Sequence, residues 1–123
     1  MSKSSAVLLF LMKELPHATW KERILFFLGR RIGFRVEGTS MSPALNDGDA
    51  VLIKKQAIAA AGDIVLIRHP YKTSVKIIKR LDGFDENGSM ILEGDNPAES
   101  TDSRTFGAVP IKCLIGRVTC LLK

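Results

Sequence analysis

The chain has 123 residues, 46% of them apolar and 25% charged, which is ordinary usage for one globular domain with a core of its own. Its net charge of +5 comes from 18 basic and 13 acidic residues that are well mixed, so with no basic cluster and no known module a nucleic-acid partner is not expected. Two cysteines without a nearby histidine exclude a structural zinc site and a disulfide framework, and they read as reduced thiols of a cytosolic protein.

Residues 1 to 5 are polar and read as a frayed end. Ala6 to Met12 is apolar for seven residues, well short of the roughly 20 needed to cross a bilayer. Lys13-Glu14 follows it where a leader would carry small residues. Neither a transmembrane helix nor a removed leader is therefore expected. Ala6 to Glu14 predicts one short helix, stopped by Pro16.

Thr19 followed by Glu22 has the spacing of a capping box and predicts a helix from about Trp20 to Arg30. Trp20, Ile24, Phe27 and Leu28 fall on one face of it, with Lys21, Arg23, Arg30 and Arg31 around the rest. The first expectation is that this face packs on a β core. The alternative is a basic amphipathic helix at a membrane surface or in a partner's groove.

From Phe34 the period changes to two. Phe34 to Glu37, Ala50 to Ile53, Ile64 to Ile67, Ser74 to Leu81, Met90 to Leu92 and Ile115 to Leu122 read as strands. Asn46-Asp47-Gly48-Asp49, His69-Pro70-Tyr71-Lys72 and Asp85-Glu86-Asn87-Gly88 read as turns between them. Gly94 to Gly107 is polar, aperiodic and long for a structureless loop, which marks it as functional. The fold class is mainly β: a small coiled or closed β-sheet domain over residues 34–123, preceded by a helical segment over residues 1–33.

Ser40 stands in Gly38-Thr39-Ser40-Met41-Ser42-Pro43-Ala44-Leu45. Taken alone it is a turn serine. A nucleophilic serine needs a base, and the two histidines, His17 and His69, both read as surface residues. The Gly-x-Ser-x-Gly elbow is also missing. A lysine can replace histidine when burial keeps its amine neutral. Alternation along Val75 to Leu81 puts Lys79 on one face with Val75, Ile77 and Leu81. Lys76 shares the other, wetter face with Ile78 and Arg80, and Lys54 and Lys55 end a strand in solvent. A lysine on an apolar face can also snorkel to water, so the alternation alone leaves both readings open.

The Ser40 box, Gly48-Asp49, Lys79-Arg80, Gly94-Asp95-Asn96, and Ser100, Asp102, Ser103 and Arg104 occur in the order found in the type I signal peptidase family, which the chain resembles over about Phe34 to Val118. Phe106-Gly107, Val109-Pro110 and Ile115-Gly116-Arg117 extend the resemblance. The Gly-Asp-Asn and Asp-Ser-Arg boxes separate it from the related LexA and UmuD autoproteases. The resemblance implies a β fold of the signal peptidase/LexA type, with Ser40 as nucleophile and Lys79 as general base. It implies that Ser100 orients Lys79, that Asp102 and Arg104 form an ion pair, and that Gly94, Asp95 and Asn96 shape the adjoining loop. The resemblance also implies the Ser40 amide as the oxyanion donor, with Gly38, Thr39 and Met41 on the substrate and oxyanion side. Gly38 stands where some members carry a second, hydroxyl donor, and Pro97 replaces a common basic residue. No metal or cofactor is implied.

Only fourteen residues, Arg80 to Glu93, separate Lys79 from Gly94, too few for the extra β domain of larger relatives. In this the chain is similar to the small peptidases that mature nickel-type superoxide dismutase. The expected function is a Ser-Lys endopeptidase that removes an N-terminal segment from a precursor held as an extended strand. The alternatives are a general signal peptidase at a membrane surface, a non-catalytic peptide-binding β module, and a self-cleaving regulator, for which the 37 residues before Gly38 leave little space. The expected location is cytoplasmic or peripheral to a membrane through residues 20–34.

Overall fold

The computed structural model describes residues 15–55, 58–72, 74–96, 98 and 103–122. The helix expected over Ala6–Glu14 lies outside them.

The described chain builds one six-stranded sheet from β1 (Ile32–Arg35), β2 (Ala50–Lys55), β3 (Ile64–Arg68), β4 (Lys76–Phe84), β5 (Met90–Glu93) and β6 (Leu114–Leu122). The strand order is β1-β2-β6-β3-β4-β5 and every neighbouring pair is antiparallel. Six strands were expected and six are present among the described residues, so the mainly β reading holds. The sheet is open rather than closed. Among the described residues β1 pairs with β2 alone, whereas β5 pairs with β4 and, at Met90, makes an isolated antiparallel bridge to Val109 on its other side.

The continuous apolar runs have a structural cause. Ile64 and Leu66 join one core cluster with Val36, Met41, Leu45, Val51, Ile53 and Ile78. Val65 and Ile67, on the opposite face of the same strand, join a second with Leu81, Met90, Leu92 and Val109. A strand covered on both faces carries apolar side chains at successive positions. β6 lies between β2 and β3 and is 9 residues long, which makes it the strand that holds the sheet together. Gly116 in it faces β2 so closely that a Cβ would collide with the Lys54 carbonyl.

The β4–β5 hairpin turns where expected. Asp85 Oδ1 accepts from the N–H groups of Asn87 and Ser89, both at 2.9 Å, and Gly88 takes a positive φ of 78°. Upstream, Pro16–Ala18 run beside the end of β6: the Ala18 N–H donates to the Leu121 carbonyl at 2.8 Å and the Leu121 N–H to the Pro16 carbonyl at 2.9 Å.

The α1 helix spans Trp20–Phe27, shorter than expected, and the chain leaves it through Gly29 at φ 77°. Thr19 caps it, its hydroxyl accepting from the Glu22 N–H at 3.3 Å. The Glu22 carboxylate pairs with Arg31 at 3.1 Å instead of returning to the cap. The expectation that its apolar face packs on the β core is corrected. Trp20 is 76% exposed, Phe27 89% and Leu28 65%, and no helix residue is fully buried. Both faces of the central strands are already covered by strand and loop side chains, so the helix stripe has no core left to join. Among the described residues no helix is long and apolar enough to cross a membrane.

Candidate active site

Ser40 is presented by a loop whose flanks are sunk in the core. Met41 and Leu45 are both fully buried in the first cluster, and the Leu45 N–H donates to the Met41 carbonyl at 2.9 Å. The spacing of four thus makes one turn that anchors the residue next to Ser40. Its other side is tied by Asp47, whose Oδ1 accepts from the Gly38 N–H at 2.8 Å. Gly38 takes φ 81°, a conformation that favours glycine. Its N–H is already committed to Asp47, and it has no hydroxyl to offer as a second oxyanion donor.

The Gly94-Asp95-Asn96 box reaches this loop directly. The Asn96 N–H donates to the Ser40 carbonyl at 2.8 Å, and its Nδ2 donates to the Thr39 carbonyl at 3.0 Å. Asn96 therefore holds the peptide groups on either side of Ser40. Asp95 binds elsewhere. Its carboxylate takes a two-pronged contact from Arg80, Nε to Oδ1 at 3.1 Å and Nη2 to Oδ2 at 2.7 Å. Arg80 Nη1 also donates to the Gly62 carbonyl at 2.8 Å. The pair is dry, with side-chain exposures of 9% and 4%.

Lys79 is the neighbour of Arg80 on β4 and is only 4% exposed. Desolvation disfavours the charged form of an amine held so deep. Lys76 is exposed, as expected. The rest of its face is not wet, which corrects the expectation: Ile78 is packed in the first core cluster and Arg80 is buried on Asp95. β4 is covered on both faces, so alternation does not divide it into a dry and a wet side.

Ser40 and Lys79 line the same two clefts. One, of about 360 Å³, runs between Phe34, Arg35 and Glu37 and the β4 stretch Val75–Ile78. The other, of about 390 Å³, continues past Ser40 to His69, Lys72 and Phe106. His69 was read as a surface residue, and that is corrected, whereas His17 is exposed. His69 is half-buried, with its ring edge-on to Phe106 at 5.3 Å. Its Nδ1 accepts from the N–H groups of Tyr71 and Lys72, both at 3.1 Å, so the neutral ring carries its proton on Nε2. Phe106 ends α2 (Ser103–Phe106), a single turn inside the long polar loop, and Ser103 Oγ accepts from the Leu92 N–H at 2.8 Å. Ser100, Asp102 and the Arg104 side chain lie outside the described residues.

Sequence reasoning missed the Arg80–Asp95 pair, Glu37, His69 and Phe106. The pair had a signal: an arginine inside an apolar strand requires a carboxylate, and the Gly-Asp-Asn box supplies one. His69 and Phe106 had none, because turn and loop residues reveal their burial only when the chain is folded.

Residues 17–118 match the family described as Peptidase S24-like. The chain is 33% identical to mitochondrial inner membrane protease subunit 2 of Danio rerio over a 113-position alignment covering 72% of this chain and 62% of that protein. It is 33% identical to mitochondrial inner membrane protease subunit 1 of Xenopus tropicalis over 107 positions, covering 68% and 64%. LexA repressor 1 of Nocardia farcinica is 38% identical over 71 positions, covering 57% of this chain and 31% of the repressor. The chain thus spans less than two thirds of the protease subunits it matches. The boxes set the chain beside signal peptidases, and the match covers the sheet, the Ser40 loop and Lys79 together: the chain belongs to the Peptidase S24-like family, among its signal peptidase-like members.

Proposed function

We propose that the chain is a serine endopeptidase in which Ser40 attacks and Lys79 is the base. The observation that carries this reading is that Ser40 and Lys79, far apart in sequence, line the same clefts while Lys79 is buried. Burial favours the neutral amine, which can take the Ser40 proton. The Ser40 Oγ then adds to the scissile carbonyl, and the oxyanion is met by the Ser40 amide. The Lys79 ammonium returns its proton to the departing amine, leaving an ester on Ser40. Water, deprotonated in turn by Lys79, adds to that ester and releases the acid. Ser100 would orient Lys79, and Asp102 and Arg104 would brace the loop that carries Ser100.

The substrate would lie in the cleft as an extended strand. Among the described residues β1 pairs on one side, and β5 pairs with β4 from Arg80 onward, so Lys76–Ile78 lies beyond that pairing. These two stretches flank the first cleft and offer main-chain partners to a peptide laid between them.

The substrate class is a precursor cut near its N-terminus. The nickel-type superoxide dismutase precursor is the candidate favoured by small size, since the chain between Lys79 and Gly94 is a bare hairpin. A general signal peptidase role at a membrane is the second, favoured by the likeness to the inner membrane protease subunits. The test is co-expression with each precursor and mass spectrometry of the product N-termini, with Ser40→Ala as control. New N-termini that depend on Ser40 support the reading. Equal processing by wild type and Ser40→Ala leaves a peptide-binding module instead.

A further inference from the structure

The face of α1 that the core leaves uncovered adjoins a second feature. Lys21, Arg30, Arg31, Lys54 and Lys55 surround a concave surface of about 460 Å³ whose floor includes Leu25 and Ile32. These cations come from two places far apart in sequence, α1 with its exit turn and the end of β2. Arg31 is tied to Glu22. The other four make no ion pair among the described residues. Beside them stand Trp20, Ile24, Phe27 and Leu28, all exposed.

We propose that this surface docks on an anionic phospholipid bilayer, with the Lys54–Lys55 concavity holding headgroup phosphate and the α1 stripe entering the acyl boundary. Charge complementarity selects this occupant. The core of a protein interface is depleted of charge, whereas an interfacial helix sets aromatic and leucine side chains among lysines and arginines. The concavity brings four such cations to one patch next to that stripe. The docking also gives the fold a direction. β1 carries Ile32 at the patch and Phe34–Arg35 at the first cleft. At about 3.3 Å per residue, roughly 10 Å of strand separates headgroups from cleft, close enough to cut a precursor near the membrane surface. The docking does not depend on the peptidase reading, because it uses none of the residues assigned to catalysis.

Trp20 is the sole tryptophan, so its emission reports the site directly. The full chain is titrated with vesicles of phosphatidylcholine alone and of phosphatidylcholine mixed with anionic phosphatidylglycerol. The expected result is co-sedimentation and a blue shift of Trp20 only with the anionic vesicles, weakened by high salt. Lys54→Ala with Lys55→Ala weakens binding by about thirtyfold, since each removes one cation near the surface. Phe27→Ser with Leu28→Ser weakens it at least about tenfold with the thermal midpoint unchanged, because both side chains are exposed in the free protein. Equal binding to both vesicles, or binding without a Trp20 shift, overturns the proposal. A blue shift without vesicles also overturns it. If that shift grows with protein concentration, a second copy covers the face; if it vanishes on deletion of residues 1–14, that segment does.

Discussion

Removing Asp95 tests whether the buried ion pair is what holds the Gly-Asp-Asn loop against the Ser40 loop. In Asp95→Ala, Arg80 loses both hydrogen bonds to the Asp95 carboxylate, and with them its paired anion, while the Gly62 carbonyl stays in place. The guanidinium cannot shed its charge. It is 9% exposed and has little access to solvent, so solvent screening does little to reduce the penalty. Loss of one partner from such a pair costs about 3–5 kcal/mol, a large part of the roughly 5–15 kcal/mol typical of a domain. The assay is urea unfolding followed by circular dichroism at neutral pH. Asp95→Ala should fall by that amount, and Arg80→Met with Asp95→Leu should recover most of it by removing both charges. Residual cleavage by Asp95→Ala should also drop, because Asn96, next in sequence, bonds the Thr39 and Ser40 carbonyls. A loss below about 1 kcal/mol for Asp95→Ala would refute the reasoning, since it would mean that water reaches the guanidinium freely.

Three further outcomes are expected. Ser40→Ala should lower cleavage by at least about a thousandfold with an unchanged unfolding midpoint; Ser42→Ala should keep activity and cost about 1 kcal/mol, because its hydroxyl donates to Asn46 Oδ1 at 2.9 Å. Lys79→Met should be inactive and no less stable than wild type, while Lys76→Met stays active; an active Lys79→Met beside an inactive Lys76→Met would reverse the assignment of the base. Burial pushes the Glu22 carboxyl up, but hydrogen bonds from Thr119 and Arg31 and the charges of Arg31 and Lys21 outweigh it and hold the group below its usual 4.5. A lowered carboxyl adds stability above its unfolded value and loses it as the pH falls through the folded one. Urea midpoints should therefore drop more between pH 6 and about pH 3 for wild type than for Glu22→Gln, and parallel drops would show that the pairing contributes nothing.

The strands were legible because their cause is local. Ala50 to Ile53 and Ile64 to Ile67 announce burial by composition alone, and the Asp85–Gly88 turn by its side chains. Strand ends were off by a few residues where the partner sets the end: β4 runs on to Phe84 because β5 pairs with it that far. The helix stripe was legible as a stripe but not as to where it goes. Periodicity says which side chains share a face; what that face meets depends on volume left in the core, and β3 and β4 had already filled it. The site followed the same division. The Ser40 loop and Lys79 could be picked out from the order of the boxes, whereas His69 and Phe106 come together through the folding of a turn and a distant loop.

The two neighbouring cations of β4 show why alternation alone could not assign the base. Lys79 and Arg80 point to opposite faces and are both nearly inaccessible, 4% and 8% exposed. A guanidinium stays charged at any pH a protein survives, so its burial requires compensation, and Asp95 and the Gly62 carbonyl provide it. An amine has a second route into a dry site, since it can lose its proton. One strand thus carries an arginine whose charge is held for structure and a lysine that, in the proposed mechanism, gives up its charge for chemistry. The two residues are not interchangeable for that reason. Lys79→Arg puts a permanent charge where the proposed mechanism needs a base, and Arg80→Lys replaces a two-pronged contact on Asp95 with a single point charge.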